Sequence, residues 1–147
     1  MRVYLDNCVY NRPFDDQSLE RVQRETVATI EILERIRKGN LELVWSYINE
    51  YENVQNPFLE NSRAIGLWRE RANAIVVESP RLLRNAYNLV ELGVRALDAL
   101  HVASAVEGNA ALFLSTDDKL LRKLSVFEEV RLLDPITALE TMDEYIN

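Results

Sequence analysis

Residues 1–10 of the chain read MRVYLDNCVY, and residues 111–118 read ALFLSTDD. In the first stretch Val3 to Leu5 is a short β-favouring apolar run that stops at Asp6-Asn7, residue types that compete for backbone hydrogen bonds and end strands. The second repeats the pattern, since Ala111 to Ser115 predicts a strand that breaks into Thr116-Asp117-Asp118. Outward from these two, strands and helices alternate. A turn at Arg12 to Asp16 precedes a long helix from about Ser18 to Lys38, with apolar or small positions at Val22, Thr26, Ala28, Ile30, Ile32, Leu33 and Ile36 and a stop at Gly39-Asn40. Leu41 to Trp45 reads as a second strand, and Ser46 has the chemistry of an N-cap for a helix through Ile48, Tyr51 and Glu52 that Pro57 ends. Phe58 to Asn73 is helical in composition, Ala74 to Val77 is a third strand, and Pro80 opens a helix that runs to Gly93. Another helix spans roughly Leu97 to Val106. A short helix to about Leu124, a strand from Val130 to Leu133 and a C-terminal helix behind Asp134-Pro135 complete the pattern.

Strands separated by segments long enough for crossover connections predict a mostly parallel sheet covered on both faces, a three-layer α/β/α sandwich. Ligands bind such sheets beyond the carboxyl ends of the strands, where the strand order reverses. Asp6, Ser46 and Asp118 all follow the last residues of predicted strands.

At 147 residues and 48% hydrophobic content the chain has the size of one domain with one substantial core, and its 4 Gly and 4 Pro form no linker or repeat that would divide it. A single domain over residues 1–147 is expected. Cys8, the single cysteine, makes no internal disulfide, and Asp6 stands where a signal peptide needs its apolar stretch. No apolar run approaches the ~20 residues that span a bilayer. The expectation is a cytoplasmic protein with no membrane partner. A net charge of -7 argues against holding nucleic acid by broad phosphate neutralisation, unless several of the acids bind cations and invert the local sign.

The acids fall where such a reversal is possible. Asp6 and Asp118 follow strands, Glu52 lies one turn past Ile48, and Asp98 opens a helix. Carboxylates suit magnesium and manganese, and metal-assisted phosphodiester cleavage uses a few of them together with substrate phosphates. Glu50 competes with Glu52 but stands about 200° away around the helix, so both cannot enter one site; the face shared with Ile48 and Tyr51 favours Glu52. Taken singly, each acid also has a structural role open to it: the macrodipole favours Asp98 and Asp118 at helix starts, and Asp6 suits an Asx turn.

The segments VYLDNCVY, WSYINEYEN, LDALHVASA and FLSTDDKLL resemble, in order and separation, the four acidic motifs of the PIN-domain family, and look most like its bacterial branch of VapC-type toxins. The first matches at Asp6. In the second, Ser46 and Glu52 match the family's Ser and Glu, with Asn49 where a Thr is frequent. The third matches at Asp98, and the fourth, Thr116-Asp117-Asp118, is similar to Thr-x-Asp, which assigns Asp118 and leaves Asp117 as a neighbour able to substitute for it or assist. The resemblance implies a parallel sheet flanked by helices, Mg2+ or Mn2+ held by the acids, endonucleolytic cleavage of RNA, dimerisation, and a cognate antitoxin that blocks the site. Asn7-Cys8 departs from the small hydroxyl residue of many relatives.

Other residues have weaker claims. His101, the only histidine, lies on the same helical side as Asp98, where it could touch substrate or the periphery of a metal site, yet a packed or hydrogen-bonded role is favoured for it. Cys8 suits a small buried side chain, Asn11 equally a turn or a hydrogen bond to a metal-bound water, and Trp45 and Trp68 the core. Lys119, Arg122 and Lys123 read as a solvated helix end able to contact phosphates. Apolar positions on the Ser18 to Lys38 helix and on Phe58 to Asn73 exceed what one small domain buries, which predicts a homodimer. Two rival functions remain open: a catalytically inactive PIN-like RNA-binding or protein-interaction module, and a phosphatase or phosphotransferase with Asp6 as nucleophile, which lacks a lysine partner after a strand.

Overall fold

A computed structural model describes residues 1–146. Its strands β1 (Arg2–Leu5), β2 (Glu42–Ser46), β3 (Ala74–Val76), β4 (Leu112–Leu114) and β5 (Arg131–Leu133) form one parallel five-stranded sheet in the order β3-β2-β1-β4-β5. The helices are α1 (Asn7–Asn11), α2 (Glu20–Arg37), α3 (Tyr47–Val54), α4 (Leu59–Gly66), α5 (Pro80–Glu91), α6 (Ala96–Glu107), α7 (Asp118–Lys123) and α8 (Pro135–Ile146). The three-layer parallel architecture expected from the alternation of elements is therefore the one observed.

Side chains alternate across a strand, and here both faces are apolar. Val3, Leu5, Leu43, Trp45, Leu112 and Leu114 pack on one face with Ile32 and Ile36 of α2, Ile65 of α4 and Met142 of α8. Tyr4, Val44, Phe113 and Leu132 pack on the other with Leu82, Ala86 and Leu89 of α5 and Val102 and Ala103 of α6. Because a parallel sheet hides both faces, its strands read as continuous apolar runs, which is how β1 and β4 appear in the sequence. Two glycines hold the connections. Gly39, at φ 81°, ends α2 in a Schellman motif, with Gly39 N donating to Ile36 O and Asn40 N to Arg35 O. At the end of α6 a Cβ on Gly108 would stand 2.6 Å from Val44 Cγ1, so only glycine lets the helix close onto β2.

The expected helix over Phe58 to Asn73 is not continuous. α4 ends at Gly66, and a tighter 3-10 turn over Leu67–Arg71 leads through an extended Ala72 to Asn73. Asn73 belongs to the sheet edge, where its N–H donates to Leu43 O at 2.8 Å and its Oδ1 accepts from Leu43 N at 2.9 Å. That pairing is tertiary, so composition could not reveal it. The Arg12 to Asp16 turn is a 3-10 turn at Arg12–Phe14, preceded by the five-residue α1, which is too short for a periodic signal. Among the described residues no helix is long and apolar enough to cross a membrane.

Candidate active site

The chain winds from β1 to β2 and β3 on one side, then crosses back to β4, so the order reverses between β1 and β4 and leaves a crevice at their carboxyl ends. Asp6 stands there, almost fully buried. Its N–H extends the ladder by donating to Leu114 O at 2.9 Å, and its Oδ2 accepts from Ser115 Oγ at 2.9 Å. Ser115 Oγ in turn accepts from Asp117 N at 3.1 Å, so one hydroxyl fixes both the Asp6 carboxylate and the loop entering α7.

Glu52 arrives on α3, whose start is locked by a reciprocal cap. Ser46 Oγ accepts from Ile48 N and Asn49 N, each at 3.2 Å, while Asn49 Oδ1 accepts from Ser46 N at 2.9 Å. Asn49 Nδ2 also donates to Leu5 O at 3.1 Å and Asn7 Oδ1 at 2.7 Å, bolting the helix to the end of β1. One turn later Glu52 Oε1 lies 2.6 Å from His101 Nε2. Glu50 instead accepts from Trp45 Nε1 at 3.2 Å, which separates the two competing glutamates as the helical geometry required.

His101 comes from α6 with no exposed surface. Nε2 is 3.7 Å from Asp6 Oδ1, and Nδ1 is 2.6 Å from Tyr4 Oη, itself 2.7 Å from Ser46 Oγ. Burial opposes charge on the ring, but the hydrogen bond to Glu52 and the charges of Asp6, Glu52 and Asp98 outweigh it and raise the imidazole pKa. Asp98, half-buried in the first turn of α6, has its carboxyl raised by burial and then by the charges of Asp6 and Asp117. Asp6, Glu52 and His101 each offer a ligand atom within 4.8 Å of the others, and two carboxylates with an imidazole are a donor set that fits a divalent cation. Asp98 stands outside this group but within its field.

The fourth motif differs in geometry from its sequence reading. Asp118 opens α7 half-exposed and is gripped by Arg21 of α2, Nη1 to Oδ2 at 2.8 Å and Nη2 to Oδ1 at 2.9 Å. The same guanidinium donates to Thr116 O at 3.1 Å. Asp117, treated as the neighbour, caps α7 through Oδ1 to Lys119 N and Leu120 N, and lines a cleft of about 260 Å³ with Arg95, Asp98, Lys119 and Lys123. After burial and the charge of Asp6, that of Asp117 raises the Asp98 carboxyl. The register of the helix start decides this: the cap residue turns to the crevice while the first helical residue meets α2.

The lesser candidates sort out simply. Cys8 is a thiol whose pKa burial pushes far up, 3.5 Å from Ser115 Oγ and no nucleophile. Asn11 donates to Asn7 O at 2.9 Å and accepts from Asn56 Nδ2 at 3.1 Å. Trp45 is core and Trp68 packs against it. Reading the chain missed Tyr4 and Ser115 and undervalued His101. A hydroxyl at the end of a strand could have flagged Ser115; nothing in the mid-strand setting of Tyr4 could have done so.

A PIN domain family model matches residues 3–125. The chain belongs to the PIN domain family. The matched span of this PIN domain holds every candidate ligand named above, from Asp6 to Asp118. Two solved structures share its fold. VapBC2 from Rickettsia felis, bound to a DNA fragment from its promoter, is 18% identical with a TM-score of 0.59, covering 91% of this chain and 98% of that one. VapBC-1 from nontypeable Haemophilus influenzae is 18% identical with a TM-score of 0.60, covering 92% and 98%. No curated protein matches the chain.

Proposed function

We propose that this PIN domain is a divalent-metal-dependent endoribonuclease and the toxin of a toxin-antitoxin pair. The observation that supports it best is the convergence of Asp6, Glu52 and His101, with Asp98 half-buried beside them, at the β1–β4 junction. Asp6, Glu52 and Asp98 are the proposed holders of Mg2+ or Mn2+, assisted by Asp117; Asp118 joins them only on leaving Arg21. A bound divalent ion supplies Lewis acidity toward a phosphoryl oxygen and a water of lowered pKa. Ser115 keeps the Asp6 carboxylate turned into the crevice. Arg95 and Lys119, beside Asp98, provide cationic phosphate contacts on a protein whose net charge is -7. The fold shared with two VapBC structures supports a cognate antitoxin that covers this crevice, and exposed apolar side chains on α2 and α4 support a homodimer.

The test is cleavage of single-stranded and structured RNA with Mg2+ or Mn2+. EDTA is expected to abolish it, and Asp6→Asn to reduce it by about a hundredfold or more. Undiminished cleavage by Asp6→Asn would overturn this crevice as the metal-dependent active site, and no cleavage with any divalent ion would leave a noncatalytic RNA-binding or interaction module.

A further inference from the structure

We infer that His101 is itself a ligand of the ion, through Nε2, and that the site thereby selects manganese-like cations over magnesium. This rests on the metal-nuclease reading above and specifies the ion. Fully buried, the ring has one nitrogen turned into the crevice, 2.6 Å from Glu52 Oε1 and 3.7 Å from Asp6 Oδ1. Its other nitrogen is anchored. With Nδ1–H donating to Tyr4 Oη (2.6 Å), the Tyr4 hydroxyl donating to Ser46 Oγ (2.7 Å) and the Ser46 hydroxyl to Asn49 Oδ1 (3.3 Å), the ring is neutral, Nε2 keeps a lone pair and no donor along the chain is wasted. Such an anchor on the far nitrogen is what orients metal-ligating imidazoles and fixes their tautomer.

In the metal-free protein the same chain runs the other way: Nε2–H donates to Glu52, Tyr4 donates to Nδ1 and Ser46 to Tyr4. An ion takes the place of the Nε2 proton: that proton leaves to solvent, Nδ1 takes one up in its stead, and the Tyr4 and Ser46 hydroxyls turn about, so the ring stays neutral throughout. The spacing suits the exchange. Adjacent ligands on an octahedral ion with bonds of about 2.1 Å lie about 3 Å apart and opposite ones about 4.2 Å. The Asp6 to Nε2 separation falls between these limits. Glu52 is too close by a few tenths of an ångström, but its side chain is 28% exposed and has room to withdraw, whereas His101 at 1% does not. A nitrogen ligand is poor for magnesium, which keeps to oxygen, tolerated by manganese and favoured by the later divalent metals.

Pulsed electron paramagnetic resonance on the full-length protein loaded with Mn2+, without RNA, reads the ligand directly. We expect ¹⁴N coupling of a bound imidazole in the wild type, its loss in His101→Gln, and its retention in Tyr4→Phe with Mn2+ affinity weakened about tenfold. Mn2+ should bind at least about tenfold more tightly than Mg2+, and His101→Gln should remove that preference. Bound Mn2+ with no nitrogen coupling in the wild type would overturn the inference and leave the metal-nuclease reading standing; failure to bind Mn2+ at all would overturn both. The wild-type spectrum decides even if His101→Gln does not fold.

Discussion

In the metal-free protein an ionised Asp98 opposes folding, because burial and the charges of Asp6 and Asp117 raise its carboxyl above the ordinary range. The stabilisation from its protonated form is fully present below the unfolded pKa and is lost as pH rises through the raised folded value. Asp98→Asn should therefore raise the melting temperature of the metal-free protein at neutral pH, with the advantage vanishing below about pH 4. Thermal melts across that range check the slope, and a pH-independent difference would contradict it. Saturating Mn2+ should raise the wild-type melting temperature and raise that of Asp98→Asn much less, since a ligand bound only by the folded state stabilises it by mass action. At this scale the sequence was legible where chemistry is local. Asp6 is marked by the strand it terminates, but the weight of His101 depends on Tyr4 and Glu52, which lie 97 and 49 residues away.

Between elements, the N-terminal end of α2 is fastened by a buried carboxylate. Glu25, 2% exposed, accepts from Arg12 Nη2 at 2.8 Å and faces Arg21 Nε at 3.4 Å, while Arg21 reaches across to Asp118 at the start of α7. Removing the buried partner takes two hydrogen bonds from Arg12 and leaves it only Asp15, while Arg21 keeps Asp118, so Glu25→Ala should cost about 1–3 kcal/mol. The half-exposed Arg21 is screened by water, and Arg21→Ala should cost less than about 1 kcal/mol because Arg12 remains. Denaturant melts of the two variants decide whether this ordering holds; equal losses would refute it. Arg21→Ala also frees Asp118, which gives a direct view of whether that carboxylate contributes to cleavage. Helices with long amphipathic repeats, such as α2, were readable from spacing alone. The Leu67–Arg71 turn was not, because its path is set by the pairing of Asn73 with Leu43 and not by its own residues.

For the molecule as a whole, both sheet faces are covered, yet Leu19, Val27 and Ile30 at and along α2, and Leu59 and Leu67 at α4, stay more than half exposed. Such apolar surface on separate elements favours association with a second copy. Sedimentation at about tens of micromolar should show a dimer, and the double substitution Val27→Asp with Ile30→Asp should shift it to monomer without lowering the melting point of the isolated fold. A wild type that sediments only as monomer would refute this. The parallel order of the sheet also governs when its chemistry exists. Asp6 is aimed by Ser115, 109 residues further on, and β1 meets β4 only after the whole β2–β3 half has been passed. Pairings so distant in the chain form late. On the ribosome, then, the first carboxylate emerges early and waits: a nascent chain cut off before β4 has neither the strand nor the hydroxyl that turns Asp6 inward, so translation itself withholds the assembled crevice until most of the protein has been made.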